Sequence, residues 1–289
     1  MKVTIIYNPK STGAGQQNAD RLANDLRSDG ISVEVRHTTH PGHGEEIAKQ
    51  LAADNEEGVL ISSSGDGGYH EVVNGILSVP GSRLVVGVLP SGNANDHASS
   101  LGSGELVQAI REMKVKRIDV LKIEATVGGR AWTRYAHSYA SIGISVAAAH
   151  QLTKQRPNAL TEKWIVARSL FSFRSIKVRI GGKVRRYSSI VFSNIDRMSK
   201  VIKLSDWSSV SDGKFEVNAI RFRFRSKLRL VLYLLTAATI GLRKGSSRRR
   251  FVFYTVRTTQ IQLDGEVYQL DSSAKVVVSS EPTVLRCLL

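Results

Sequence analysis

Cysteine is nearly missing from this chain, with a single one, Cys287, among 289 residues. One thiol excludes an internal disulfide and a thiolate metal cluster, and the composition fits a reducing cytosol. Long apolar runs are scarce too. The uncharged stretch 230–242 has 13 residues, short of the roughly 20 that span a bilayer as a helix. Residues 1–7 run into Asn8-Pro9 after too short an apolar stretch for a signal peptide, so no export is expected. Two phosphate-binding fingerprints are missing as well. The absence of GxxxxGK[ST] argues against a P-loop NTPase, and the absence of GxGxxG weakens a dehydrogenase reading. What remains, 42% hydrophobic and 23% charged residues, is the composition of a globular protein with length for two cores. Disorder, collagen and coiled coil are excluded.

The formal charge is +16, and it is unevenly placed. Residues 1–164 carry 17 basic and 17 acidic side chains, residues 165–257 carry 22 and 4, and residues 258–289 carry 2 and 4. A neutral half joined to a basic half is expected to meet a polyanionic surface, either nucleic acid or an anionic leaflet, or else to be merely solvated.

Through the first 120 residues short β-branched runs alternate with helix-like stretches, the pattern of βαβ units and a parallel sheet. Strands are expected over 3–7, 31–36, 58–62 and 83–89, and helices over 16–28, 44–53, 69–77 and 106–113. Ligands of open α/β sheets bind beyond the carboxyl ends of the strands, so the loops 8–15, 38–42, 63–68 and 90–96 should converge. From about Arg117 the pattern turns to strands, at 120–125, 131–141, 175–180, 188–193, 215–224, 251–263 and 275–278, interrupted by helices over 161–173 and 226–242. The fold class expected is therefore α/β. A parallel-sheet domain spans 1–120, its last strand open to being supplied by the C-terminus, and a mainly antiparallel β-sandwich spans 121–289.

Three loops carry the chemistry. Ser64-Gly65-Asp66-Gly67-Gly68, between a strand and a helix that holds Glu71 and Asn74, frees backbone N–H groups for an anion at a helix N-terminus. Phosphate is the natural guest, and Asp66 makes sense beside it if a divalent cation or a substrate hydroxyl intervenes. An ordinary helix cap is the competing reading. Ser91-Gly92-Asn93-Ala94-Asn95-Asp96 repeats the strand-loop-helix arrangement, and Asn8-Pro9-Lys10-Ser11 with Gly13 closes the first strand. By contrast, His37, His40 and His43 are not expected to hold metal, because Pro41 and Gly42 break any helix that would align them. Trp132, Trp164 and Trp207 read as core or interface aromatics.

In order and spacing these pieces resemble the catalytic domain of the diacylglycerol kinase family, which includes sphingosine and ceramide kinases and bacterial soluble lipid kinases. Asn8-Pro9 with Gly13 resembles its first nucleotide loop, and Gly65-Asp66-Gly67 with Glu71 and Asn74 its GGDGT…E..N element. Pro90-x-Gly92-x-x-Asn95-Asp96 is similar to PxGTxND, and Thr38 falls where the family has a nucleotide-contacting threonine. Ser211-Asp212-Gly213 resembles its magnesium segment, and Asp264-Gly265-Glu266 its catalytic DGE. Three family positions differ: Ser64 stands for a glycine, and Gly68 and Asn93 for threonines.

The resemblance implies ATP and Mg²⁺ as cofactors and transfer of the γ-phosphoryl group to a lipid hydroxyl. Glu266 or Asp66 would be the base, with Asp264 beside Glu266. Nucleotide contacts would come from Asn8, Pro9, Lys10, Ser11, Gly13, Thr38, Ser64, Gly65, Asp66, Gly67, Gly68, Glu71, Asn74, Ser91, Gly92, Asn93, Asn95 and Asp96. A structural magnesium would sit on Asp212 and the carbonyls of Ser209 and Lys214. Residues 121–289 would be the lipid-substrate domain, in a cytoplasmic, peripherally membrane-associated enzyme of phospholipid biosynthesis that needs no nucleic acid; a homodimer is left open. The cationic flanks of 226–242 suit an anionic bilayer. An NAD kinase-like phosphotransferase and a non-catalytic membrane-binding protein are the alternatives.

Overall fold

Aliphatic and β-branched runs separated by amphipathic segments dictate parallel strands with helical crossovers, and the computed structural model has them. It describes residues 1–9, 14–92, 95–101, 105–143, 146, 175–195, 197–198, 202–203, 209–221, 228 and 245–289. The chain forms two compact units, one of Met1–Val120, Val210–Asp212 and Glu281–Leu289, the other of Leu121–Ser209 and Gly213–Ser280.

In the first unit β1 (Lys2–Tyr7), α1 (Gly15–Ser28), β2 (Ser32–His37), α2 (His43–Ala53), β3 (Val59–Ser64), α3 (Asp66–Leu77), β4 (Val85–Pro90), α4 (Asp96–Leu101) and α5 (Leu106–Arg111) follow in order. The strands lie parallel in the order β4-β3-β1-β2, with Val3 between Val59 and Val33. All six residues of β3 are buried, as a central parallel strand requires. Ala19, Leu22, Ala23 and Leu26 of α1 recur at helical spacing and pack in one cluster with Val3, Ile5, Val59 and Ile61. Each buried leucine there contributes about 2 kcal/mol.

The second unit is antiparallel. It holds β5 (Val115–Val127), whose first residues belong to the first unit, then β6 (Arg130–Ala136), β7 (Tyr139–Gly143), β8 (Ile176–Ile180), β9 (Lys183–Ser193), β10 (Arg197–Met198), β11 (Ile202–Lys203), β12 (Phe215–Arg221), β13 (Ser246–Arg248), β14 (Arg250–Thr255), β15 (Thr259–Leu263) and β16 (Glu266–Leu270). Phe192 anchors its core, edge-on to Phe215 at 6.1 Å and stacked with Phe253 at 6.2 Å. The last strand, β17 (Lys275–Leu288), starts antiparallel to β14 and ends parallel to β4, where Cys287 faces Val86. Parallel strands in the amino-terminal part and antiparallel ones after it are the fold class read from the sequence.

Two of the differences from expectation have direct physical reasons. β9 begins at Lys183 rather than at 188, because Gly181 and Gly182 at φ 56° and 76° close a two-residue hairpin that carries exposed Arg185 and Arg186 into the ladder. The run 251–263 divides into β14 and β15, with Val256–Thr258 outside either strand. The helices expected over 161–173 and 226–242 lie outside the described residues.

At Gly75 of α3 an added Cβ would run into the Glu45 carbonyl and meet the Ala48 Cβ at 2.8 Å. Helix α2 can approach α3 this closely only because that side chain is missing. Gly75→Ala gains roughly 1 kcal/mol of helix propensity but overpacks the contact by about 1–3 kcal/mol. A lower urea midpoint is expected, and an unchanged or higher one would disprove this account of the packing.

Candidate active site

Short polar side chains tie the strand ends of the first unit into one network. After β1 and β2, the Thr38 N–H donates to the Tyr7 carbonyl at 2.9 Å. After β3 and β4, the Ser91 N–H donates to the Ser64 carbonyl at 3.0 Å. Buried Ser63 donates its hydroxyl to the Gly15 carbonyl at 2.7 Å and lies 3.0 Å from the Ser91 hydroxyl, to which Asn18 also donates at 3.1 Å. Asn8 and Pro9 are exposed at the end of β1, and Gly92 follows Ser91. Lys10, Ser11, Gly13 and Asn93 lie outside the described residues, as does the side chain of Asp96.

Asp66 is the first residue of α3, and its carboxylate accepts the His97 N–H in α4 at 3.4 Å. His97 itself is buried, its ring 4.9 Å from that of Tyr69. Glu71 ties two backbone segments together. Its two carboxylate oxygens accept the N–H groups of Gly42 and Gly44, at 2.8 and 3.0 Å, at the start of α2. A negative charge there complements the helix N-terminus, and Gly42 takes φ 87° to make the approach. Asn74 is buried and donates to the carbonyl of His70 one turn earlier at 2.9 Å. Asn95 donates to the Gly92 carbonyl at 2.9 Å and so closes the loop after β4.

The departures from the family pattern at 64 and 68 belong together. A Cβ on Gly68 would come within 2.6 Å of the Cβ and Oγ of Ser64, whose hydroxyl lies 2.7 Å from that of Ser62 and donates to the Gly65 carbonyl at 2.9 Å. A side chain at 64 and a side chain at 68 compete for one space. Serine at 64 leaves room at 68 for a residue without a Cβ.

In the second unit the two acids of the β15–β16 turn have different surroundings. Asp264, at φ 49°, is fully buried, and its carboxylate accepts three backbone N–H groups, from His137 at 2.8 Å and from Ser138 and Tyr139 at 3.0 Å. It clamps the β6–β7 corner to the turn. Glu266, directly after Gly265, is exposed. The buried His137 ring, 3.4 Å from the Asp264 carboxylate and 2.8 Å from the Ser138 hydroxyl, completes the cluster.

Ser209, Asp212 and Lys214 are exposed around the turn at Gly213, φ 70°. Asp119 adds a buried carboxylate nearby. Its N–H donates to the Val210 carbonyl at 2.7 Å and its Oδ1 accepts the Thr283 N–H at 2.8 Å. Carboxylate oxygens are donors Mg²⁺ prefers, and within the first unit Asp119 and Asp212 supply two of that kind. Among the described residues no cluster of three or more His, Cys, Asp or Glu side chains is poised around a metal site.

Comparison with known proteins bears on these loops. The family model of the diacylglycerol kinase catalytic domain matches residues 2–123, which contain β1 through β4 and each of the loops beyond them. Over residues 2–123 the chain is similar to the diacylglycerol kinase catalytic domain. A Klebsiella pneumoniae protein named "Probable lipid kinase YegS-like" is 33% identical over 128 residues, which are 43% of this chain and 42% of that protein. The "Diacylglycerol kinase" of Bacillus subtilis is 31% identical over 127 residues, 44% of this chain and 37% of that protein. The chain thus matches about two fifths of the length of these curated relatives. A Bacillus anthracis diacylglycerol kinase structure shares the fold over 99% of this chain and 96% of its own, with TM-score 0.73 and 17% identity. Yeast NADH kinase shares it more distantly, with TM-score 0.52 and 10% identity over 100% of this chain and 83% of its own.

Within the matched segment the strand-end loops were readable from sequence, whereas the roles of Ser63, Asn18 and His97 were not. Asp119 left a signal, an acid inside the apolar run Ile118-Asp119-Val120-Leu121.

Gly68→Thr alone is expected to destabilise the protein by about 1–3 kcal/mol through overpacking, and adding Ser64→Gly should restore most of the loss. Additive effects in a denaturation cycle would disprove the shared space. Burial pushes the Cys287 thiol up to about 12, against an opposing bond from the Tyr69 hydroxyl. Iodoacetamide at pH 8 should leave it unmodified in the native protein. The unfolded thiol ionises near 9.0, so stability from this group is complete below that pH and falls as pH rises towards 12.

Proposed function

We propose that this chain is an ATP-dependent lipid kinase that transfers the γ-phosphoryl group to a hydroxyl of a membrane lipid of diacylglycerol or sphingoid type. The observation that carries the reading is the Gly65–Gly68 turn. It presents the N-terminus of α3 and the Asp66 carboxylate together, inside the segment that matches the family model. The backbone N–H groups at that helix start suit phosphate oxygens, and the strand-end network of Ser63, Ser91 and Asn18 keeps the neighbouring loops in place without a side chain long enough to obstruct a nucleotide.

In the reaction the lipid oxygen bonds to the γ-phosphorus as the bond from phosphorus to the bridging oxygen of ADP breaks, and the hydroxyl proton passes to a carboxylate. Glu266 is the base in this reading. It is exposed on a turn that Asp264 holds rigid, whereas Asp264 is engaged by three backbone donors. Asp66 faces the phosphates, and Mg²⁺ would neutralise their charge. Asp212, with the carbonyls of Ser209 and Lys214 and with Asp119 close to the turn, would hold a structural magnesium. Among the described residues no helix is long and apolar enough to cross a membrane.

The test is transfer of labelled phosphate from magnesium-ATP to a panel of diacylglycerol, sphingoid base, ceramide, phosphatidylglycerol and NAD. Glu266→Gln and Asp66→Asn should each lower turnover on the accepted lipid by roughly 10²–10⁴-fold with unchanged thermal unfolding. Phosphorylation of NAD alone, or full activity in both variants, overturns the assignment. Asp264→Ala separates the roles. It strands three buried donors, so it should lower stability by about 3 kcal/mol or more, measurable by denaturant unfolding.

A further inference from the structure

The hydrogen-bond register of β9, β8, β14 and β17 fixes which side chains share a face. Lys177 stands opposite Arg186 and Arg179 opposite Val184, Tyr254 lies between Arg179 and Lys275, Val252 faces Val277, and Arg250 faces Ser279. Cross-strand partners point to one side of a sheet. The other side carries Ile176, Val178, Phe251, Phe253, Val276 and Val278 into the core. The outward side therefore collects five cations, Lys177, Arg179, Arg186, Arg250 and Lys275, over four strands about 15 Å across. None of the five is in an ion pair among the described residues, and no carboxylate stands at these positions. Glu281, the next acid along β17, falls in the first unit.

Apolar groups stand among the charges. Val184 is 57% exposed and Tyr254 is 37% exposed, with the Arg179 guanidinium 5.5 Å over its ring. Cations on long apolar stems around an exposed aliphatic and an aromatic group suit the headgroup region of an anionic bilayer, where stems and rings bury while charges reach lipid phosphates. A second copy docked by two-fold symmetry would set these cations against themselves. Single-stranded nucleic acid would need an open stacking platform, and the lone tyrosine is covered by Arg179.

We propose that this face of the second unit docks on an anionic lipid bilayer. The inference rests on the lipid-kinase reading and names the surface that brings the enzyme to its acceptor. It is independent of residues 226–242.

The test is co-flotation with phosphatidylcholine vesicles containing 30% phosphatidylglycerol and with pure phosphatidylcholine vesicles. The wild-type chain should float only with the anionic vesicles. At about fivefold per near-surface cation, Lys177→Glu, Arg179→Glu and Arg186→Glu together should lower partitioning by roughly a hundredfold or more. Lys114→Glu, Lys116→Glu and Arg117→Glu together make the same change in net charge at exposed positions of the first unit, and should lower it far less. Equal losses in the two triple variants, no loss in the first, or a preference of the wild type for an oligonucleotide over anionic vesicles would each overturn the proposal. Phosphorylation of a water-soluble short-chain diacylglycerol is the second readout. It should be unchanged in the first variant, provided thermal unfolding shows both variants folded. Vesicle binding without phosphate transfer to any lipid would refute the kinase reading and leave the docking face standing.

Discussion

The Glu71 carboxylate is the fixed point of the first unit's site. Two glycine amides at the start of α2 and the body of α3 meet at one charged group, so the loop after β2 is tied to the helix that follows β3. Charge-assisted bonds of this kind are about twice as strong as neutral ones. They hold a glycine-rich segment that has little stiffness of its own. A separate set, the hydroxyls of Ser63 and Ser91 and the amide of Asn18, ties the loop after β4 to β3 and α1. A phosphate-binding loop needs backbone donors already in position, because ordering them on binding would weaken affinity.

The second unit repeats the device with a different acid. Asp264 accepts three successive backbone N–H groups and keeps Gly265 and Glu266 on a turn that cannot drift. One carboxylate of the DGE segment is thus engaged in holding the turn, while the other stands exposed. That division was not legible in Asp264-Gly265-Glu266 itself, where both acids look alike. Burial distinguishes them, and burial depends on the β6–β7 corner 125 or more residues earlier in the chain.

The parallel strands could be read from sequence because each is a short apolar run closed by a polar or glycine-rich loop, and periodicity is local information. β3 and the Gly65–Gly68 turn are the clearest instances. The second unit was harder. Arg185 and Arg186 hid the first half of β9, since charged residues on an exposed strand face look like loop. The coupling of Ser64 with Gly68 was visible as two separate oddities, and only their separation in space joins them. Asp119 was legible as an acid in an apolar strand, but its neighbours, Val210 and Thr283, lie far away in sequence.

β17 gives its first residues, through Ser280, to one unit and its last, from Glu281, to the other. The parallel sheet therefore lacks its partner for β4 until residue 287 has been synthesised. During translation the amino-terminal half emerges first yet stays unsealed along that edge. A chain stalled before the final strand would expose Val85, Val86 and the neighbouring apolar surface to chaperones or to aggregation.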